Sequence, residues 1–319
     1  MGGISRRLFG ISPAETSFAK RGFRYDTGDL RERLEEVGRC FVFGYHTALA
    51  EDRPEPLAEK LEAVAPEFRG FSYEGAAMGL AILDAMTPWR RGRLTAFLRG
   101  PAAPHVYIVV VGSGWALARL PFPVERTRVR FDPILDWLAF DGYGFHQGYF
   151  HWQRAIVGQE VPRRVSGYAL RVFDHGIGRS LWFVEGAGVE RITARVQAFP
   201  ARRQPDIWSG VGLACAYAGG VPRASVEDLK AAAGAHLPHL AQGAAFAAKC
   251  RTRAGNLVPH TELACQVLCG MSAVEASAVT DEVRVEPSAE ETPGSHGVPA
   301  FELWRRRIQQ RFEYGGTTA

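Results

Sequence analysis

The sequence predicts an all-α fold: a helical-repeat array of about seven two-helix units, each near 34 residues, wound as a solenoid or a closed ring. Three observations predict it. A Gly-x-Gly/Ala motif recurs at near-constant spacing, a helix-like apolar run follows each copy, and amphipathic segments with helix-start signals separate the copies.

The motif copies are Val37-Gly38-Arg39-Cys40 (the weakest), Glu74-Gly75-Ala76-Ala77, Val111-Gly112-Ser113-Gly114, Asp141-Gly142-Tyr143-Gly144, His175-Gly176-Ile177-Gly178, Ser209-Gly210-Val211-Gly212 and Gln242-Gly243-Ala244-Ala245. Their first glycines are spaced by 37, 37, 30, 34, 34 and 33 residues. Runs such as Met78-Gly79-Leu80-Ala81-Ile82-Leu83, Trp115-Ala116-Leu117-Ala118 and Leu181-Trp182-Phe183-Val184 follow the glycines. Glycine inside a helix costs about 1 kcal/mol relative to alanine. Repeated mid-helix glycines therefore imply close helix–helix approach. Between copies, Pro54-Glu55-Pro56, Asp132-Pro133 and Ser225-Val226-Glu227-Asp228 are helix-start signals. His105 to Val111 is rich in β-branched residues and reads locally as a strand. It ends in register with the repeat, so a helix is expected there.

The expected domain division is a repeat domain over residues 1–279, a flexible linker over 280–299, and a C-terminal amphipathic helix and tail over 300–319. Glu286 to Gly297 has linker composition. Phe301, Trp304, Ile308 and Phe312 then fall on one helical stripe. That helix either caps the last repeat or docks on a partner or a phosphate-rich surface.

A formal net charge of +4, with 34 acidic residues mixed among the basic ones and no basic run interleaved with aromatics, argues against nucleic-acid binding. Five scattered cysteines fit reduced thiols in a cytoplasm. Ser5-Arg6-Arg7-Leu8-Phe9 imitates a twin-arginine leader, but no apolar stretch follows it. The most apolar window, Val106 to Ala118, is too short to span a bilayer, so no membrane insertion is expected. No phosphate loop, nucleophile elbow, dinucleotide fingerprint or metal-ligand spacing is present, and no cofactor is expected.

Equivalent positions of stacked repeats align in space. The residue before each first glycine reads Val37, Glu74, Val111, Asp141, His175, Ser209 and Gln242. Five of the seven are polar at the start of otherwise apolar runs. They are either helix caps and first-turn residues or a functional ridge. Asp141 to His151 is the densest polar–aromatic segment, and the next copy adds Asp174, His175 and Arg179. Such Asp, His and Arg groups on an aromatic-lined groove suit acid–base chemistry.

Phe9-Gly10-Ile11-Ser12-Pro13, Arg69 to Ala76, Gly112 to Pro121, Asp141 to His146, Asp174 to Arg179 and Trp208-Ser209-Gly210 together resemble a family of uncharacterised bacterial proteins encoded beside enediyne polyketide synthases. The similarity spans about residues 7 to 275, and the tail after Val279 falls outside it. The resemblance implies a role in building the enediyne core from a polyene. Glu74, Asp141, His146 and His175 are then expected to handle protons, and Arg179 to hold an anionic group. Trp115, Phe145, Tyr149, Asp174, Trp182, Trp208, Ser209 and Gln242 are expected to line the substrate groove. The alternative is a non-catalytic protein that binds the polyene or scaffolds pathway enzymes. The C-terminal helix is the expected contact for other pathway proteins.

Overall fold

A computed structural model describes residues 9–121, 130–285 and 298–314. Among these residues it contains fifteen α-helices and no strand. They are α1 (Phe18–Arg21), α2 (Gly28–Ala50), α3 (Pro54–Glu62), α4 (Pro66–Met86), α5 (Arg93–Arg99), α6 (Val106–Arg119), α7 (Leu138–Phe150), α8 (Tyr168–Val184), α9 (Val189–Ala198), α10 (Gln204–Tyr217), α11 (Arg223–Ala233), α12 (Leu237–Arg253), α13 (Pro259–Leu268), α14 (Ala273–Glu282) and α15 (Ala300–Tyr314). The twin-arginine start and the stretch from Glu286 to Gly297 lie almost wholly or wholly outside the described residues.

Seven core helices, α2, α4, α6, α7, α8, α10 and α12, pack each against the next in chain order. The motif glycines set that packing. A Cβ at Gly142 would lie 1.9 Å from the Val111 carbonyl oxygen, one at Gly176 2.0 Å from that of Asp141, and one at Gly210 1.9 Å from that of His175. Thus the first glycine of each copy lies against the carbonyl just before the first glycine of the preceding copy. The second glycine faces the following helix: Gly114 meets Ala139, Gly144 meets Phe173, and Gly178 meets Ile207. No side chain fits at such contacts, so the propensity cost of each glycine is offset by intimate backbone packing.

This ladder corrects the framing of the first copy. In α2 the glycine that faces the next helix is Gly44, whose Cβ would sit 1.8 Å from the Ser72 carbonyl oxygen. Gly75 meets the carbonyl of Phe41. Phe41, not Val37, is therefore the first member of the column, and Gly38 instead faces Thr16. The β-branched run after His105 is helical, as its register requires, because α6 is buried along almost its whole length and tertiary packing outweighs local propensity.

The two-helix unit is irregular. Among the described residues no α-helix lies between α6 and α7, and between α7 and α8 the chain makes a π-turn at Gln153–Val157 and then an irregular segment. Pro162 and Gly167, whose φ is positive, interrupt that second connection. The helix α14 runs to Glu282, beyond the expected linker start at 280.

The C-terminal helix folds back. Phe301, Trp304, Ile308 and Phe312 are all buried, and Trp304 Nε1 donates to the Thr280 carbonyl at 2.7 Å. Its apolar stripe is occupied by its own chain. No single helix among the described residues is long and apolar enough to cross a membrane.

Candidate functional site

Within each core helix the column residue and those four and eight positions later share one face, because 3.6 residues make a turn. That face lines an apolar cavity. Phe41 and Glu74 contribute from the column, Trp115, Phe145, Arg179 and Leu213 from the fourth position, and Tyr149, Phe183 and Tyr217 from the eighth. Its free volume is about 40 Å³, roughly three water molecules at 10–15 Å³ each. A long ligand must therefore displace part of the wall. A surface groove including Pro13, Arg39, Phe43, His46 and Lys60 shares Thr16 and Val42 with the cavity wall.

Arg179 is the hub of the polar part of this wall. Its guanidinium donates to Asp141 Oδ1 and, at 3.4 Å, to Glu74 Oε1. It also lies 4.9 Å from the centroid of Phe145. His175 Nδ1 bonds to Asp141 Oδ2, and Trp115 Nε1 donates to Glu74 Oε1 at 3.1 Å. Helices α4, α6, α7 and α8 each supply part of the cluster, and Glu74, Asp141, His175 and Arg179 are all at least 96% buried.

Burial sets the protonation states. It pushes Glu74 upward, and the opposing pull of Arg179 and the Trp115 N–H does not cancel that. Burial also works against the Asp141 carboxylate, but Arg179 and His175 outweigh it and hold Asp141 below the usual range. His175 is lowered by burial despite Asp141. Arg179 is disfavoured by burial but raised overall by the two carboxylates. Asp141 is thus held toward its carboxylate and Arg179 toward its cation, while His175 is pushed toward its neutral form and Glu74 toward its protonated one. Neutral His175 then carries its proton on Nδ1, leaving the buried Nε2 without a hydrogen bond.

Four of the five expected catalytic residues thus meet in one cluster, and two of them, Glu74 and Arg179, reach the cavity. Asp141 and His175 stand behind Arg179. His146 is apart: it packs 5.7 Å from the Trp115 ring, its Nδ1 has no hydrogen bond, and burial lowers it to about 3.

Of the expected groove residues, Trp115, Phe145 and Tyr149 line the cavity. Asp174, Trp182 and Trp208 do not, for reasons of helical phase. Asp174 is one residue before the column, and about 100° of rotation turns it to Arg203, which it bonds at 2.5–3.1 Å. Burial raises Asp174 to about 6 despite Arg203. Trp182 is one residue short of the cavity face and donates to the Gly219 carbonyl at 3.1 Å. Trp208 is buried at the same offset as Asp174. Phe183, Leu213 and Tyr217 line the cavity instead and were missed. Counting four and eight residues from the column finds them.

Ser209 and Gln242 belong to a second buried cluster, bonded to each other at 2.8 Å. Gln242 Oε1 also accepts from Arg305 at 3.3 Å, and Arg305 pairs with Asp206 at 2.7 Å. Arg171 joins Asp206 to Glu302, which also accepts from Tyr168. This network fastens α15 to α8, α10 and α12. The paired Asp132 and Asp136 accept backbone N–H groups at the approach to α7, at 2.8–3.1 Å.

Fold and site define an all-helical protein with a buried acid–guanidinium cluster on the wall of an aromatic cavity. The chain belongs to the DUF1702 family, proteins of unknown function, whose model matches residues 1–312. The match takes in α15 almost entirely, so the tail after Val279 is inside the family and not beyond it. No curated protein and no solved structure matches the chain.

Proposed function

We propose that the chain is a cytoplasmic accessory enzyme of bacterial enediyne biosynthesis that acts on a polyene or polyketide-derived intermediate in its interior. We further propose that the core helices form a repeat array closed into a ring. Hydrogen bonds between early and late helices support the ring: Arg33 to the Ala218 carbonyl at 2.9 Å, Arg251 to that of Glu67 at 3.0 Å, and Asn256 to that of Pro66 at 3.1 Å.

The observation that carries the functional reading is the pairing of an apolar aromatic cavity with ionisable groups on its wall, Glu74 and Arg179 among them. Aromatic faces suit a conjugated chain, and a few convergent polar groups in an apolar pocket are the usual form of a small-molecule site. Entry would run past Thr16 and Val42, with the Pro13–Thr16 turn moving aside.

The test uses cis-parinaric acid, a fluorescent conjugated tetraene, as a binding probe, and mass spectrometry of a linear polyene incubated with the purified protein. Binding and conversion are expected, and both should be lost in Leu213→Trp, which fills the cavity. Undiminished binding and conversion by a folded Leu213→Trp protein would overturn the assignment of this cavity. Binding without conversion would favour a carrier or scaffold of the same pathway.

A further inference from the structure

Glu74 differs from the other carboxylates of the two buried clusters in what its second oxygen does. Asp141, Asp206 and Glu302 each have hydrogen bonds on both oxygens. The outlying Asp174 has them too. At Glu74 both donors, Trp115 Nε1 and Arg179, converge on Oε1. Among the described residues no hydrogen bond reaches Oε2, and Glu74 is on the cavity wall. Around it stand Phe41, Trp115, Phe145, Tyr149 and Phe183.

This arrangement is what a Brønsted acid toward carbon requires. The Oε1 side is held by donors that stabilise the carboxylate once the proton has left. The Oε2 side is free to present an O–H to an apolar space. The aromatic faces can stabilise a cation there by up to about 2 kcal/mol each. A basic side chain on the wall would quench such a cation. Of the groups that could do so, the Glu15 carboxylate on the wall is taken up by Lys20 and Arg21, Arg179 is already cationic, and the imidazoles of His146 and His175 stand behind the wall.

We propose that Glu74 protonates an electron-rich double bond of a ligand in this cavity and so starts a redox-neutral isomerisation or cyclisation. The substrate class rests on the polyene reading above; the acid assignment rests on the geometry of Glu74. In the step, the Oε2–H bond breaks and a C–H bond forms, giving an allylic cation and a carboxylate paired with Arg179. A double bond shifts, or a second double bond attacks the cation to close a ring. A C–H bond beside the cation then breaks, and its proton returns to Glu74. Product and substrate have the same composition, and no oxidant, reductant or metal enters the balance. Asp141 is a positioning residue: it holds Arg179 and does not touch the ligand.

The experiment equilibrates the full-length protein in D2O and then adds a linear all-trans polyene. The expected product has the substrate's composition with deuterium at carbon. Glu74→Gln should lower its formation by roughly 10²–10⁴-fold, the usual worth of a general acid. The variant should still bind cis-parinaric acid and melt as the parent does. Glu74→Asp, which keeps the acid but shortens its reach, should retain part of the activity. A product whose elemental composition differs from the substrate's by more than exchange of hydrogen for deuterium would overturn the acid role while leaving the cavity assignment standing. So would deuterium-free isomerisation, or full activity in Glu74→Gln. Binding with no conversion also overturns it. Failure of both probe and polyene to bind overturns the polyene reading itself. As a ligand-free check, the infrared band of a protonated carboxylic acid should be present at neutral pH and absent in Glu74→Gln. Its absence from the parent protein overturns the proposal.

Discussion

The protein buries two ionic clusters, and they are built to different ends. Around Arg305, the carboxylates of Asp206 and Glu302 meet the guanidiniums of Arg171, Arg305 and Arg306, two negative charges against three positive. Each of those carboxylate oxygens is bonded, and a whole helix, α15, is fastened by the result. Around Arg179, two carboxylates meet one guanidinium. Burial and the Asp141 carboxylate push Glu74 toward its protonated form, and the cluster opens on a cavity. Carboxylates bonded at every oxygen, with cations in excess, mark a structural junction. A deficit resolved by a proton, beside free space, marks a place where a proton can be given away.

The largest expected effects test that contrast directly. Asp206→Ala leaves Arg171 and Arg305 sharing one carboxylate, and loss of one partner of a buried pair costs about 3–5 kcal/mol. Asp141→Ala should cost clearly less. Glu74 can release its proton and serve as the missing counter-ion for Arg179. Urea denaturation of the two variants, with ΔG compared at neutral pH, provides the measurement. If Asp141→Ala proves the more damaging, Glu74 was already ionised and the two clusters do not differ in the way argued.

How much of this was legible in the sequence follows from what each signal measures. The glycine column was visible because a backbone contact leaves a fixed residue type at a fixed spacing. Its first copy was misplaced because α2 has only the second glycine, Gly44, and Gly38 offered a false match four residues before the true first-glycine position, which Val42 occupies. The polar column led to Glu74, Asp141 and His175, since equivalent positions do converge. Asp174, Trp182 and Trp208 were misassigned because chemistry was weighed without helical phase, and one residue is about 100° on a helix. The division of the polar column into two clusters was not legible at all. It depends on α15 bringing Arg305 back to Asp206 across 99 residues.

The pH dependence should separate the clusters next. Asp141 and Asp206 are both held below their ordinary range: burial opposes ionisation, but Arg179 with His175 and Arg305 with Arg171 overcome it. Their contribution to stability is complete above the unfolded carboxylate pKa and is lost as pH falls through the depressed values. Glu74 is shifted the other way by burial, with Arg179 opposing and the Asp141 carboxylate adding to it. Its contribution is complete below the unfolded value and is lost as pH rises through the raised one. Denaturation followed across pH should therefore show an acid limb common to both clusters. Conversion should fall on the alkaline side, with Glu74. In Glu74→Gln the acid limb of stability should remain and any alkaline loss of stability should disappear. An alkaline loss that persists in that variant would assign it to another group.

The smallest effect is expected at His146. By residue type it was as strong a candidate as His175, and both rings are buried. Of the two, only His175 has a carboxylate partner, and through Asp141 it is linked to Arg179, which faces the cavity. His146 lies behind Trp115, edge-on to its ring, and burial, which lowers it to about 3, keeps it neutral near pH 7. A neutral ring without a hydrogen bond at Nδ1 contributes packing, so Phe in its place keeps the shape and removes an unsatisfied buried nitrogen. His146→Phe should change stability by no more than about 1 kcal/mol and conversion by about twofold or less. His175→Phe removes a donor from Asp141 and should reduce conversion far more. Comparable losses from the two substitutions would mean that polar groups behind the aromatic wall matter as much as those on it, and the chemistry would then have to be sought on the His146 side of Trp115.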